Sequence, residues 1–227
     1  METYGLSLKE ILYLLSVKEK DGRSNINHMS FGLIGACLFE LVDHERIAIE
    51  EKRLKVNNQK PTGDPALDFV LEKLSNTRKN KKIKTWVSSL NNKAHKIRKP
   101  IRDMLYQKHY LGEKDKKFLF IPYQLHPVIK TKEKEAIASH LRKSILQKKD
   151  FEDLEANLIA MAMVSGAFRN IFSDRKERRQ AKKKVKTLIK EGAISSSVSQ
   201  SIQEMQAAIM AAVVASTAAS TAAAGSN

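Results

Sequence analysis

The sequence predicts a mainly α protein, a single helical-bundle domain carrying short β-hairpins. Apolar residues recur three and four apart through most of the 227 residues, which is the spacing of one helical face. Runs of period two are confined to two short places, near residues 46–56 and 117–129, which read as hairpins. Hydrophobic residues make up 42% of the chain, enough for a core that needs no staples.

Leu6 to Val17 is the first helix. Leu8, Ile11, Leu12 and Leu15 share a face, Ser7 is placed to cap it, and Glu10 completes a capping box. Asp21-Gly22 closes this element, and a polar loop runs from Arg23 to His28. Met29 to Val42 is dense in Leu, Ile, Phe and Ala, as a buried central helix requires. Gly32, Gly35 and Ala36 fall on one face of it. A glycine costs about 1 kcal/mol against alanine inside a helix, so that face needs a closely approaching neighbour.

Arg46–Glu50 and Arg53–Val56 form a hairpin about Glu51-Lys52. In Pro61-Thr62-Gly63-Asp64-Pro65 a tight turn leads into the next helix, with Asp64 as its cap and Pro65 in its first position. That helix, Ala66 to Leu74, turns Leu67, Val70, Leu71 and Leu74 inward. A basic run from Arg78 to Lys84 precedes a helix over Thr85–Leu90 that holds Trp86. Lys93 to Tyr110 is a long basic helix interrupted by Pro100. After a turn at Gly112–Asp115, Lys117–Ile121 and Tyr123–Ile129 flank Pro122 as a second hairpin with an apolar tip.

Lys132 to Leu146 is amphipathic, with Ile137, Leu141 and Ile145 inward and Lys134, Arg142 and Lys143 outward. Leu154 to Phe172 is apolar nearly all round and reads as one core helix. Ser173-Asp174 caps a basic helix over Arg175–Lys190, on which Val185 and Leu188 lie beside the cationic face. A Ser-rich stretch and a helix over Ile202–Ala215 follow. The domain is therefore expected over residues 1–215, with a low-complexity tail at 216–227.

Little in the chain suggests catalysis. His28, His44, His95, His109, His126 and His140 lack metal-ligand spacing, and no phosphate-cradling glycine loop or nucleophile elbow occurs. Cys37 is the only cysteine, which excludes an internal disulfide, and it sits on an apolar helix as packing. Asp64 and Asp68 are placed for capping. No enzyme activity, metal or cofactor is expected. There is no signal peptide pattern and no apolar run of membrane-spanning length.

What remains is charge. The formal net charge is +16, which implies an anionic partner. One cationic cluster runs from Arg78 to Arg102, and the other lies on residues 175, 178, 179, 182 and 186, which share a helical face. Glu177 is almost the only acid among the latter, and like charges spaced i,i+4 destabilise a helix. Stability did not require that pattern; an anionic ligand accounts for it better. Two ligands fit. A membrane surface would take the cations as headgroup contacts and Phe120-Ile121-Pro122-Tyr123-Gln124-Leu125 as an apolar insertion. Nucleic acid would use the two helix-then-hairpin units, 29–56 and 94–129, as winged helices. An interaction adaptor without direct lipid contact is the third reading.

Several blocks, taken in order, resemble a known family. They are Leu8-Lys-Glu-Ile-Leu-Tyr-Leu-Leu15, Gly32-Leu-Ile-Gly-Ala-Cys-Leu-Phe-Glu-Leu41, Pro61-Thr-Gly-Asp-Pro-Ala-Leu-Asp68, Trp86-Val-Ser-Ser-Leu90 and Phe118-Leu-Phe-Ile121 with His126-Pro127. In this they are similar to the Golgi phosphoprotein 3 family, of which the chain reads as a divergent member. The resemblance implies a helical domain with an exposed β-hairpin, here Phe118–Val128. It implies a non-enzymatic adaptor, peripheral on the cytosolic membrane face, that binds phosphatidylinositol 4-phosphate and retains membrane proteins; a Golgi location applies to eukaryotic members. The family's two basic lipid-binding residues on a later helix fall on His95 and Arg98, with Lys99, Arg102 and Arg23 close enough to join them. Its lipid-binding Trp falls near Asn25 or Ile26 and its Arg on Ile34. The hairpin residues Phe120, Ile121, Pro122, Tyr123 and Leu125 would make membrane contact or a homo-oligomer.

Overall fold

Local capping chemistry sets the helix starts. In the computed structural model, which describes residues 3–24, 26, 28–77, 81–147, 151–190, 207–209 and 211–212, the first helix, α1, spans Leu8–Ser16. The Glu10 carboxylate accepts the Ser7 backbone N–H at 2.8 Å, as the capping box requires. The helix stops before Asp21-Gly22: Val17 is already extended and bridges Ser24.

Helix α2, Met29–Asp43, is the central element, buried along almost its whole length. Its glycine face meets α7, Asp153–Ser165. A methyl group at Gly32 would lie 2.6 Å from the Ser165 Cβ and 3.1 Å from the Met161 carbonyl oxygen. Neither atom can swing away, so the absent side chain is what permits the approach. Gly32→Val is expected to cost about 2–3 kcal/mol of stability, measured as a lower urea midpoint at unchanged slope; a midpoint equal to wild type would show that the two helices separate freely.

Strands β1 (Ile47–Glu50) and β2 (Arg53–Val56) pair antiparallel about Glu51-Lys52, both at positive φ, as a two-residue hairpin turn demands. Helix α3, Pro65–Ser75, begins as the sequence indicates. Asp64 Oδ1 accepts the Ala66 and Leu67 N–H groups at 2.9 and 3.1 Å. The Asp68 carboxylate accepts the N–H and hydroxyl of Thr62 and the N–H of Gly63. The Pro-Thr-Gly-Asp block is therefore a self-satisfied turn, a device of the fold. Helix α4, Ile83–Asn91, buries Trp86 and starts two residues earlier than the periodicity indicated. Helix α5, His95–Gln107, contains Pro100 and buries Ile97, Ile101 and Leu105.

Three expectations need correction. The second hairpin consists of β3, Lys114–Phe118, and β4, Ile121–Leu125, with Leu119-Phe120 as its turn. Pro122 lies in β4 opposite Lys117, one pair in from the hydrogen-bonded pair Phe118–Ile121. Antiparallel pairs alternate, so Pro122 occupies a non-hydrogen-bonded place and its missing N–H loses no ladder bond. In α6, Thr131–Gln147, Lys134 does not point outward. It is one turn from Ile137 and Ala138 and buried with them, its ammonium donating to the Val17 carbonyl at 2.8 Å. Nor is 154–172 one helix. Gly166 at φ +89 terminates α7 in the left-handed conformation, and α8 is only Phe168–Ile171.

Helix α9, Arg175–Lys190, follows; Asp174 Oδ1 accepts the Glu177 N–H at 2.7 Å, and Ala181, Val185 and Leu188 face the core. Residues 207–209 and 211–212 are helical, with Ile209 and Ala212 buried. The remainder of the expected 202–215 helix, the Ser-rich stretch and the 216–227 tail lie outside the described residues, as do Arg78 and Lys79.

Candidate functional site: a cationic cavity beside an apolar hairpin tip

Helical spacing puts His95, Arg98, Lys99 and Arg102 on one face of α5, opposite the buried Ile97, Ile101 and Leu105. The buried face packs on α1 and α3. All four of these polar residues line one cavity of about 260 Å³, which Tyr13 and Val17, Gly22 and Ser24, and Met29 complete. The loop wall is drawn in by Gly22. At φ +67, it approaches so closely that an added Cβ would lie 2.1 Å from the His126 carbonyl oxygen. The His126 and Val128 N–H groups donate to the Asp21 and Glu19 carbonyls at 3.2 and 2.8 Å. Loop 18–24 is thus bonded to the chain leaving β4, which joins cavity and hairpin mechanically.

The electrostatics favour an anion. The Asp103 carboxylate binds Lys99 at 2.7 Å and Arg102 at 3.0 Å. Burial acts to raise the pKa of Asp103, but these two hydrogen-bonded cations outweigh it and hold the carboxyl below its usual range. Arg98 is exposed and makes no ion pair among the described residues. Against one carboxylate, therefore, three α5 cations face the cavity. Burial pushes the Tyr13 phenol up while the Arg102 and Arg98 guanidiniums pull it down, leaving a neutral hydroxyl in the wall. Arg23, exposed between Gly22 and Ser24, stands over the Tyr123 ring at 5.3 Å from its centroid.

The apolar end of the hairpin is shifted from where the sequence placed it. Phe120 is 96% exposed, Leu119 75% and Ile121 67%. Pro122 is exposed beside them, whereas Tyr123 and Leu125 are half-buried in the stem. The tip is therefore Leu119-Phe120-Ile121, flanked by the exposed Lys116 and Lys117.

A larger cavity of about 440 Å³ is a poor place for an anion. Glu40, Asp43, Asp64 and Asp153 line it, and its one lysine, Lys9, is held between Glu40 and Asp64 at 2.5 and 2.7 Å. Among the described residues no group of three or more His, Cys, Asp or Glu side chains is arranged to hold a metal ion. Cys37 is buried, and burial pushes its thiol far up, away from reactivity. No helix among the described residues is long and apolar enough to cross a membrane.

The model of the Golgi phosphoprotein 3 (GPP34) family matches residues 8–205. The chain belongs to the Golgi phosphoprotein 3 family. Membership at this level supports a Golgi-associated, phosphoinositide-binding adaptor of a non-enzymatic family. Two positions that the resemblance set against the family's Trp and Arg stand apart from the α5 cavity. Ile34 is fully buried in α2, and Ile26 faces a different cavity. Asn25 is outside the described residues. Sequence reasoning missed Tyr13, Met29 and Asp103 as neighbours of the cations. Asp103, four residues from Lys99, carried a readable i,i+4 signal; Tyr13 was indistinguishable from its apolar helix.

Proposed function

We propose that this protein binds the anionic headgroups of phospholipids as a non-enzymatic peripheral membrane protein. Phosphatidylinositol 4-phosphate is the ligand that the family points to. The cavity lined by His95, Arg98, Lys99 and Arg102, with Arg23 on the adjoining loop, takes the phosphate; the Leu119–Ile121 tip enters the apolar layer; and the body acts as an adaptor for membrane-protein retention. The observation that carries this reading is the coincidence of an incompletely neutralised cationic cavity with an exposed apolar tip on one bonded unit. Charge supplies reversible attraction, and buried apolar area supplies the rest.

The nucleic-acid reading is weaker for its first unit. Helix α2 has no free face to enter a groove, since residues along its whole circumference are buried. The test is vesicle co-sedimentation. Arg98→Glu with Lys99→Glu is expected to weaken binding to phosphatidylcholine vesicles carrying phosphatidylinositol 4-phosphate by about tenfold or more, because each cation near the surface is worth about 1 kcal/mol. Retained binding would remove α5 from the site. Equal wild-type binding to vesicles of matched charge carrying phosphatidylserine would reduce the role of the cavity to general electrostatics.

A further inference from the structure

Beside Ile26 and His28 lies a second cavity, of about 170 Å³, whose cations come from other elements than α5. Ile26 and His28 of the loop and the Ser165-Gly166 end of α7 form its wall. Arg169 of α8 and Arg178 and Lys182 of α9 line the rest. None of these three cations makes an ion pair among the described residues. Arg178 is instead oriented by carbonyls, its Nη1 donating to Phe172 at 2.7 Å and more weakly to Ser173 at 3.4 Å. Carbonyls fix the guanidinium without cancelling its charge. Burial, and then the nearby Arg178, Lys186 and Arg169, depress the Lys182 ammonium below the ordinary lysine value. Packing does not require this gathering of like charges, which a phosphate would relieve through charge-assisted hydrogen bonds.

Gly22 and Ser24 face the first cavity, Ile26 and His28 the second. Only a few residues of chain separate the two walls, so a bilayer that reaches both cavities would offer the second one further phosphates at high local concentration. We propose that the Arg169–Arg178–Lys182 cavity binds the phosphate of a second anionic lipid headgroup, so that the molecule grips a bilayer at two points. This rests on the membrane-surface reading given above, and the test separates the two.

The probes are phosphatidylcholine vesicles carrying phosphatidylinositol 4-phosphate, and inorganic phosphate at constant ionic strength. Three charge-matched variants are compared with wild type: Arg169→Gln/Lys182→Gln, Arg98→Gln/Lys99→Gln, and, as a control at exposed positions, Lys143→Gln/Lys176→Gln. Loss of the second contact should weaken vesicle binding about tenfold or more, with the control losing less than half as much. If Arg169→Gln/Lys182→Gln binds vesicles like the control while Arg98→Gln/Lys99→Gln does not, the second site is overturned and the first stands. If only the Arg169→Gln/Lys182→Gln variant is weakened, the two-point grip is overturned, because the α5 cavity then makes no contact and only the second cavity binds. If neither variant falls below the control, both are overturned. A variant that loses stabilisation by inorganic phosphate yet keeps full vesicle binding would mark a site for soluble phosphate and overturn the lipid assignment.

Discussion

Phe120→Asp combined with Ile121→Asp is expected to weaken binding to anionic vesicles about a hundredfold while leaving the thermal midpoint unchanged. Fully burying a Phe or Ile side chain is worth about 1.5–3 kcal/mol, and the two lie almost bare to solvent at the hairpin tip, Phe120 at 96% and Ile121 at 67% exposed. Aspartate removes that gain and sets carboxylates against anionic headgroups. Stability should not move, since substitutions at such exposed positions usually shift it by less than about 0.5 kcal/mol. The same tip could instead bury itself against a second copy of the chain, so sedimentation velocity is run beside vesicle co-sedimentation. A smaller sedimenting species with unchanged vesicle binding would assign the tip to self-association. No change in either would leave it an ordinary turn. Tyr123→Asp and Leu125→Asp are a less specific probe, because both side chains are half-buried in the stem and Tyr123 lies under the Arg23 guanidinium.

Features settled by local chemistry were legible from residue order. Ser7 with Glu10, Asp64 with Pro65, and the Glu51-Lys52 turn each act within a few residues, and each stands where spacing put it. So do the cations of α5: the interval from His95 to Arg102 is two helical turns, and one face collects them. What failed was not carried by apolar spacing. Pro122 signals a turn unless the hydrogen-bond phase of a hairpin is known. Lys134 belongs to the polar set of α6 until Val17, 117 residues away, offers a carbonyl. The break at Gly166 was hidden because apolar residues continue on both sides of it. The cavity's other wall, Tyr13 and Met29, comes from helices whose pattern reports only burial.

Removing one partner of the buried Lys9–Glu40 pair is expected to cost about 3–5 kcal/mol, the usual penalty for stranding a buried charge. Lys9 is 2% exposed, and its three ammonium protons have three acceptors: Glu40 at 2.5 Å, Asp64 at 2.7 Å and Ser7 Oγ at 3.1 Å. Its backbone N–H also donates to Glu40 Oε1 at 2.8 Å. One side chain therefore fastens α1, α2 and the cap of α3. Glu40→Ala and Lys9→Met should each lower the urea midpoint sharply, and the double variant should lose much less than the sum, because no unmatched charge remains between those two positions. Burial alone would depress the Lys9 pKa, but the Glu40 and Asp64 carboxylates outweigh it and hold the ammonium above its ordinary value. The sign follows from that. A group whose folded pKa exceeds its unfolded value of about 10.4 contributes fully below that value, and loses its contribution only as pH climbs toward the folded one. The stability gap between wild type and Lys9→Met should therefore stay level from about pH 7 to pH 9 and shrink above about pH 10.4. A gap that closes already between pH 7 and pH 9 would mean that desolvation wins over the carboxylates, and that the three helices are not fastened by charge.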